Sequence, residues 1–180
     1  VLVVSPLISL MKDQVDTLNE LGFRAAAINS SLEPAERERR LQALRAGEYE
    51  LIYLAPEGLD GRLSRDVGNW PLSLLVVDEA HCISQWGHDF RPEYLEIGRV
   101  PKEHPQARVL ACTATATPYV RDEILARLEL PPETPQLIRG FARPNLALRV
   151  SEVERAADRR RMVDGLLLET LTEPGAGRGC

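Results

Sequence analysis

Short unbroken apolar runs alternate along this chain with segments whose apolar positions recur every three or four residues. Val1–Val4, Leu51–Leu54 and Leu74–Val77 are continuous runs, and Phe23–Ile28 and Val109–Cys112 have the same character. Strands apolar on both sides bury both faces, as they do inside parallel sheets. Leu7, Leu10, Met11, Val15, Leu18 and Leu21 instead keep helical spacing, and Gly22 supplies a stop. Ser5-Pro6 predicts the start of that helix, with Ser5 as N-cap and Pro6 in the first turn. A second helix, rich in arginine and glutamate, is expected over Glu33–Ala46 and is closed by Gly47. Ala55-Pro56-Glu57 is another start signal, Pro118–Leu128 a further helix and Ala156–Leu171 the last. Gln136–Ile138 and Leu146–Val150 are shorter strand candidates. Strands alternating with helices predict βαβ units, hence an α/β fold with a mainly parallel sheet.

Chemistry enters where the Leu74–Val77 run stops at two adjacent carboxylates, Asp78 and Glu79. Ligands of open α/β sheets sit outside the carboxyl ends of the strands, so these acids stand where a site is expected. On an extended segment their side chains point opposite ways and can serve different partners. One suits a hydrated Mg²⁺, which takes one or two carboxylates plus substrate phosphates. The other suits an attacking water that must be oriented and deprotonated.

Asp78-Glu79-Ala80-His81 after an apolar strand resembles the Walker B motif of superfamily-2 helicases. Its continuation, Cys82-Ile83-Ser84-Gln85-Trp86-Gly87-His88-Asp89-Phe90-Arg91-Pro92-Glu93-Tyr94, resembles the aromatic-rich loop of RecQ-family DNA helicases. Trp86, His88, Phe90 and Arg91 fall on neither a helical nor an alternating period, which suits a surface for stacking bases. Other strings fit the same family. Val4–Gln14, with Ser5, Pro6 and Lys12, resembles its motif Ia, which touches single-stranded DNA. Asn29-Ser30 and Ala55-Pro56-Glu57-Gly58-Leu59 resemble elements beside the DNA track, with Asn29, Ser30, Pro56 and Glu57 as candidate contacts. Thr113-Ala114-Thr115 resembles motif III, which links the nucleotide to the DNA side, and Phe141–Asn145 resembles the passage to a second motor domain. Gly58, Cys112 and Ala142 depart from the family pattern, standing where it usually carries an arginine, a larger aliphatic residue and an aspartate.

The resemblance implies a RecA-like (P-loop NTPase) fold and an ATP-dependent, 3′-to-5′ DNA helicase acting in recombination and repair. Residues 1–140 would be the first motor domain without its Walker A segment, and 141–180 a linker and the start of the second. The implied cofactors are ATP and Mg²⁺. Asp78 would hold the metal, Glu79 would polarise the water, and His81 would connect them to Thr113 and Thr115. Gln85 through Arg91 would report bound DNA. Single-stranded and partly duplex DNA are the implied partners, with a single-strand-binding protein as a further candidate. The expected location is the nucleoid-bearing cytoplasm of a bacterium or the nucleus of a eukaryote. The rival readings are an RNA-directed motor of the broader Asp-Glu-Ala-His group and a degenerate fragment that binds nucleic acid without hydrolysing ATP.

Composition narrows this further. The 180 residues are 44% hydrophobic, enough for about one domain with a core. A formal charge of -5 and a pI near 5.3 exclude a globally basic nucleic-acid coat, so DNA contact must be local. Cys82, Cys112 and Cys180 have no C-x-x-C spacing, which argues against a disulfide framework or a four-ligand zinc site. His81, Cys82 and His88 can be drawn as metal ligands but lack a fourth, and the zinc site of the family is expected outside this segment. Arg159-Arg160-Arg161 reads as a solvated helix face. No apolar run approaches membrane-spanning length.

No Gly is followed by Lys, so no phosphate-cradling G-x-x-x-x-G-K-[ST] occurs. The chain opens on Val1 inside a strand-like run and closes on linker-like Glu173–Cys180, so both ends are expected to be cuts within a larger protein. On that view Val109–Cys112 should be under-paired in the sheet. The 180-residue piece alone should be marginally stable, without tight ATP binding or unwinding.

Overall fold

The computed structural model describes residues 1–59, 67, 70–85, 89–140, 146, 150–153 and 155–172. Among the described residues five strands, β1 (Leu2–Val4), β2 (Ala25–Ile28), β3 (Leu51–Leu54), β4 (Leu74–Val77) and β5 (Arg108–Ala111), form one sheet in the order β2-β3-β1-β4-β5. Every pairing is parallel. The helices among the described residues are α1 (Ile8–Glu20), α2 (Pro34–Arg45), α3 (Arg99–Glu103), α4 (Pro118–Arg127) and α5 (Ala156–Thr172). Two compact units divide the chain, Val1–Thr134 with the sheet and Pro135–Cys180 with α5. Along α5 the three consecutive arginines are exposed, and Arg161 pairs with Asp158 at 3.6 Å.

The apolar runs of β1 to β4 are explained by burial against the two faces of the sheet, whereas the Val109–Cys112 run, at the sheet edge, is not buried on both sides. Leu2, Val4, Ile52, Leu54, Leu75 and Val77 face one cluster with Leu41 and Leu44 of α2 and Val120 and Ile124 of α4. Val3, Ala25, Ala27 and Tyr53 face the other with Met11 and Val15 of α1. Among the described residues β5 pairs only with β4, and its Leu110 is half-exposed. Gly22 and Gly47, after α1 and α2, both take the left-handed conformation that ends a helix without a Cβ penalty (φ 88° and 70°).

Register positions the site. Val4 lies opposite Leu54 and Val77, Ile28 opposite Leu54, and Val77 opposite Ala111, so the strands end level. The residues that follow them, Ser5, Asn29, Ala55, Asp78 and Cys112, therefore fall in one row along the carboxyl edge.

Three expectations are corrected. α1 starts at Ile8 with Leu7 at the N-cap position and no side-chain cap, because the Ser5 hydroxyl is engaged elsewhere. β2 begins at Ala25 and leaves Phe23 exposed. Gln136–Ile138 forms no strand, and Leu137 stands almost fully in solvent. The 3-10 turn Pro92–Gly98 leading into α3 was not foreseen, since its buried Tyr94, Ile97 and Val100 recur every third residue. Leu146–Val150 lies mostly outside the described residues.

Candidate active site

Asp78 is held at the end of β4 by its surroundings more than by its own strand. Its amide donates to Val4 O (2.9 Å), and its Oδ2 accepts the fully buried Ser5 hydroxyl (2.9 Å). Its Oδ1 accepts the Glu79 amide (3.0 Å), and its carbonyl accepts the hydroxyl of buried Tyr94 (3.0 Å). The carboxylate thus keeps one orientation while staying partly open to solvent. Tyr94 itself is pushed well above the ordinary phenol range, chiefly by burial.

Glu79 adopts a left-handed backbone, φ 46° and ψ 45°. For a residue with a Cβ this costs about 1–3 kcal/mol and persists only where the surroundings enforce it. The Ala80 amide donates to Cys112 O (2.9 Å) and so closes the turn. Asp78 meets Ser5 while Glu79 meets His81, and the two acids diverge through this turn rather than through continued extension. Glu79 Oε2 lies 3.1 Å from His81 Nδ1, which is also 2.9 Å from Thr113 Oγ1. Thr113 Oγ1 in turn accepts the Thr115 amide (3.2 Å). The structure therefore joins Asp78, Glu79, His81, Thr113 and Thr115 at one edge.

Beyond His81 the chain enters the loop. Cys82 Sγ is 3.8 Å from His81 Nε2 and 3.7 Å from Asp89 Oδ2, and Asp89 pairs with Arg91 at 3.6 Å. The atoms His81, Cys82 and Asp89 offer to a cation lie within 4.8 Å of one another. Burial first, and Asp89 second, push the Cys82 thiol up to about 11. The thiol is therefore neutral near pH 7 and acts as a weak hydrogen-bond group. Gln85 is exposed, and Phe90 and Arg91 are half-buried. Trp86 and His88 lie outside the described residues. Cys112 is exposed beside Asp78, and its thiol is also raised, by burial and then by that carboxylate.

The remaining predicted contacts divide. Asn29, Ser30, Glu57 and Gly58 line a cleft of about 210 Å³ together with Ile28 and Arg37. Arg37, in the second turn of α2, was not singled out from the sequence, yet it brings a cation to the cleft where Gly58 has no side chain. Asn29 Oδ1 accepts both the amide and the hydroxyl of Ser31 (3.0 and 2.7 Å), a local turn bond. Pro56 is buried and Pro6 half-buried, while Lys12 is exposed and pairs with Asp16 at 3.4 Å. Ser5, buried against Asp78, belongs to the acid's own environment. Sequence reasoning also missed Tyr94 and Glu123, whose partners are distant along the chain and leave no local signal.

Flush parallel strands ending in an oriented aspartate, with a glutamate and a histidine beside it, define an α/β domain with its candidate site at the carboxyl edge of the sheet. Residues 1–123 match the DEAD/DEAH box helicase family, and the chain belongs to it. The chain is 43% identical over 176 residues to the ATP-dependent DNA helicase RecQ of Bacillus subtilis (strain 168), covering 97% of this chain and 29% of that protein. It is 45% identical over 179 residues to the probable ATP-dependent DNA helicase RecS of the same organism, covering 97% of this chain and 35% of RecS. Its similarity is thus to the RecQ branch, and it spans about a third of the length of these two relatives. The helicase domain of Pyrococcus furiosus Hef shares the fold at a TM-score of 0.53 and 22% identity, over 72% of this chain and 27% of the other. A RecA-like α/β fold is the common ground.

Proposed function

We propose that the protein is the first motor domain of a RecQ-type, ATP-dependent DNA helicase that moves 3′ to 5′, and that residues beyond about 140 lead to its second. The observation that carries this reading is the Asp78–Glu79 pair at the carboxyl edge, with His81 reaching from Glu79 to Thr113.

The donor set fits a hard cation. Asp78 is a carboxylate with its orientation fixed by Ser5 and by the Glu79 amide, and its remaining lone pairs face the open edge. Mg²⁺ with ATP would lie against Asp78, where it would neutralise charge developing on the phosphates. Glu79 accepts the proton of the attacking water. His81 and Thr113 hold Glu79 in place, and Thr115 fixes Thr113. Holding these groups before reaction avoids reorganisation during it, which is where such sites gain most. Single-stranded DNA lies across the carboxyl edge, along the cleft of Asn29, Ser30, Arg37 and Glu57, and reaches the Gln85–Arg91 loop.

The test is ATP hydrolysis by the intact protein, with single-stranded DNA and with RNA. DNA stimulation that is lost in Glu79→Gln, with ATP binding retained, is the expected result. Stimulation by RNA in preference to DNA would move the protein to the RNA-directed motors. Absence of hydrolysis in the unaltered protein would sink the ATPase reading.

A further inference from the structure

We propose that Glu123 is a positioning residue that clamps the root of the Gln85–Arg91 loop to the segment holding His81, an inference that rests on the ATPase reading of Asp78 and Glu79. The turn Ala80–Ile83 and Ser84 are buried throughout. One continuous stretch, Cys112 through Glu123, grips them at three points. The Ala80 amide donates to Cys112 O at 2.9 Å, His81 Nδ1 meets Thr113 Oγ1 at 2.9 Å, and the Ser84 hydroxyl donates to Glu123 Oε2 at 2.6 Å. Between the last two grips residues 114–116 run as an irregular connection, and Thr117 then caps α4 by accepting the Val120 amide.

The third grip carries the argument. The Glu123 side chain is only 14% exposed, and Arg127 stands 3.5 Å away. Withdrawing a carboxylate from water is costly unless it is hydrogen-bonded or paired, and an apolar residue could pack α4 on this turn without that cost. A short bond from hydroxyl to carboxylate is the strong, directional kind. It fixes Ser84, the last residue before Gln85. With both ends of the turn held by one stretch, displacement of the loop either breaks the Ser84–Glu123 bond or carries α4 and Thr113 with it. Thr113 contacts His81, and His81 contacts Glu79. Glu123 contacts Ser84 and Arg127, and through Ser84 it sets whether the loop's position is felt at Glu79.

Two measurements test the clamp. In amide hydrogen exchange on the full chain, Glu123→Ala is expected to raise exchange at Ala80 and Cys112 on the order of tenfold. The β1 and β3 amides should stay as they are, and Glu123→Gln, which still accepts the Ser84 hydroxyl, should restore protection. Unchanged protection at Ala80 would overturn the proposal, as would uniform loosening of the whole sheet. In the intact protein, Glu123→Ala should keep the DNA-free kcat and the KM for ATP, and lose on the order of tenfold in the DNA-stimulated kcat. Glu123→Gln should recover it. A parallel fall of basal and stimulated rates would reduce Glu123 to a fold stabiliser and overturn the clamp. If the unaltered protein hydrolyses no ATP, the ATPase reading fails by itself, and the exchange result still decides the clamp.

Discussion

Replacing Ser5 by alanine separates two roles that the sequence cannot distinguish. The change removes one fully buried hydroxyl, which donates to Asp78 Oδ2 at 2.9 Å, and leaves almost no cavity. A hydrogen bond to a charged group is worth about 1.5–3 kcal/mol. Asp78 is partly exposed and keeps the Glu79 amide, so water can replace part of the lost bond and the lower end, about 1.5 kcal/mol, applies. The size of the loss alone decides nothing, because removing a helix N-cap costs a similar 0.5–2 kcal/mol or so. The cycle with Asp78→Ala decides it. If Ser5 serves Asp78, Ser5→Ala becomes nearly neutral once the carboxylate is gone, and urea denaturation of the four proteins gives a coupling of about 1 kcal/mol. If Ser5 caps α1, the cost is the same in both backgrounds. Additivity within about 0.5 kcal/mol would therefore refute the buried Ser5–Asp78 link.

Other perturbations follow from the same geometry. A Cβ on Gly98 would clash with the Arg127 carbonyl oxygen, so Gly98→Ala should destabilise by about 1–3 kcal/mol, and an unchanged melting midpoint would contradict the close approach. Hydrogen bonds from Arg39 and then Arg40 hold Glu36 down at about 2, against an ordinary 4.5. Its contribution is complete above 4.5 and disappears as pH falls toward 2, so Glu36→Gln should flatten stability against pH in that window, and an unaltered slope would refute the pairing. Cys112 is exposed and Cys82 is buried with its thiol near 11. A thiol reagent at pH 8 should modify Cys112 in the folded protein and reach Cys82 only after unfolding. Rapid labelling of Cys82 in the native state would show that the loop root is open.

The fold was legible because its signals are local. Continuous apolar runs can be buried only on both faces of a covered sheet, and Pro and Gly act within a turn of where they stand, so the strands and most helices fall near their expected positions. Asp78 and Glu79 were legible for a related reason, since charge at the end of a buried run must lie at an edge. Ser5 was misread because Ser-Pro before a helical pattern satisfies a cap rule locally, while its actual partner is 73 residues away. Glu123 looked like any acid of an amphipathic helix, and Arg37 like any arginine of a solvated one.

The sequence by itself thus determined the alternation of strands and helices, the family and the two acids that end β4. Tertiary structure decided the register, which levels five strand ends into one row and brings Ser5 to Asp78, Cys112 to Ala80 and Thr113 to His81. It also decided the left-handed turn at Glu79, which no local preference would choose. The physical reason is that a parallel sheet forms its bonds between segments far apart in the chain. Which residues become neighbours at its edge depends on pairing energies summed over the whole sheet, and no stretch of sequence contains that sum.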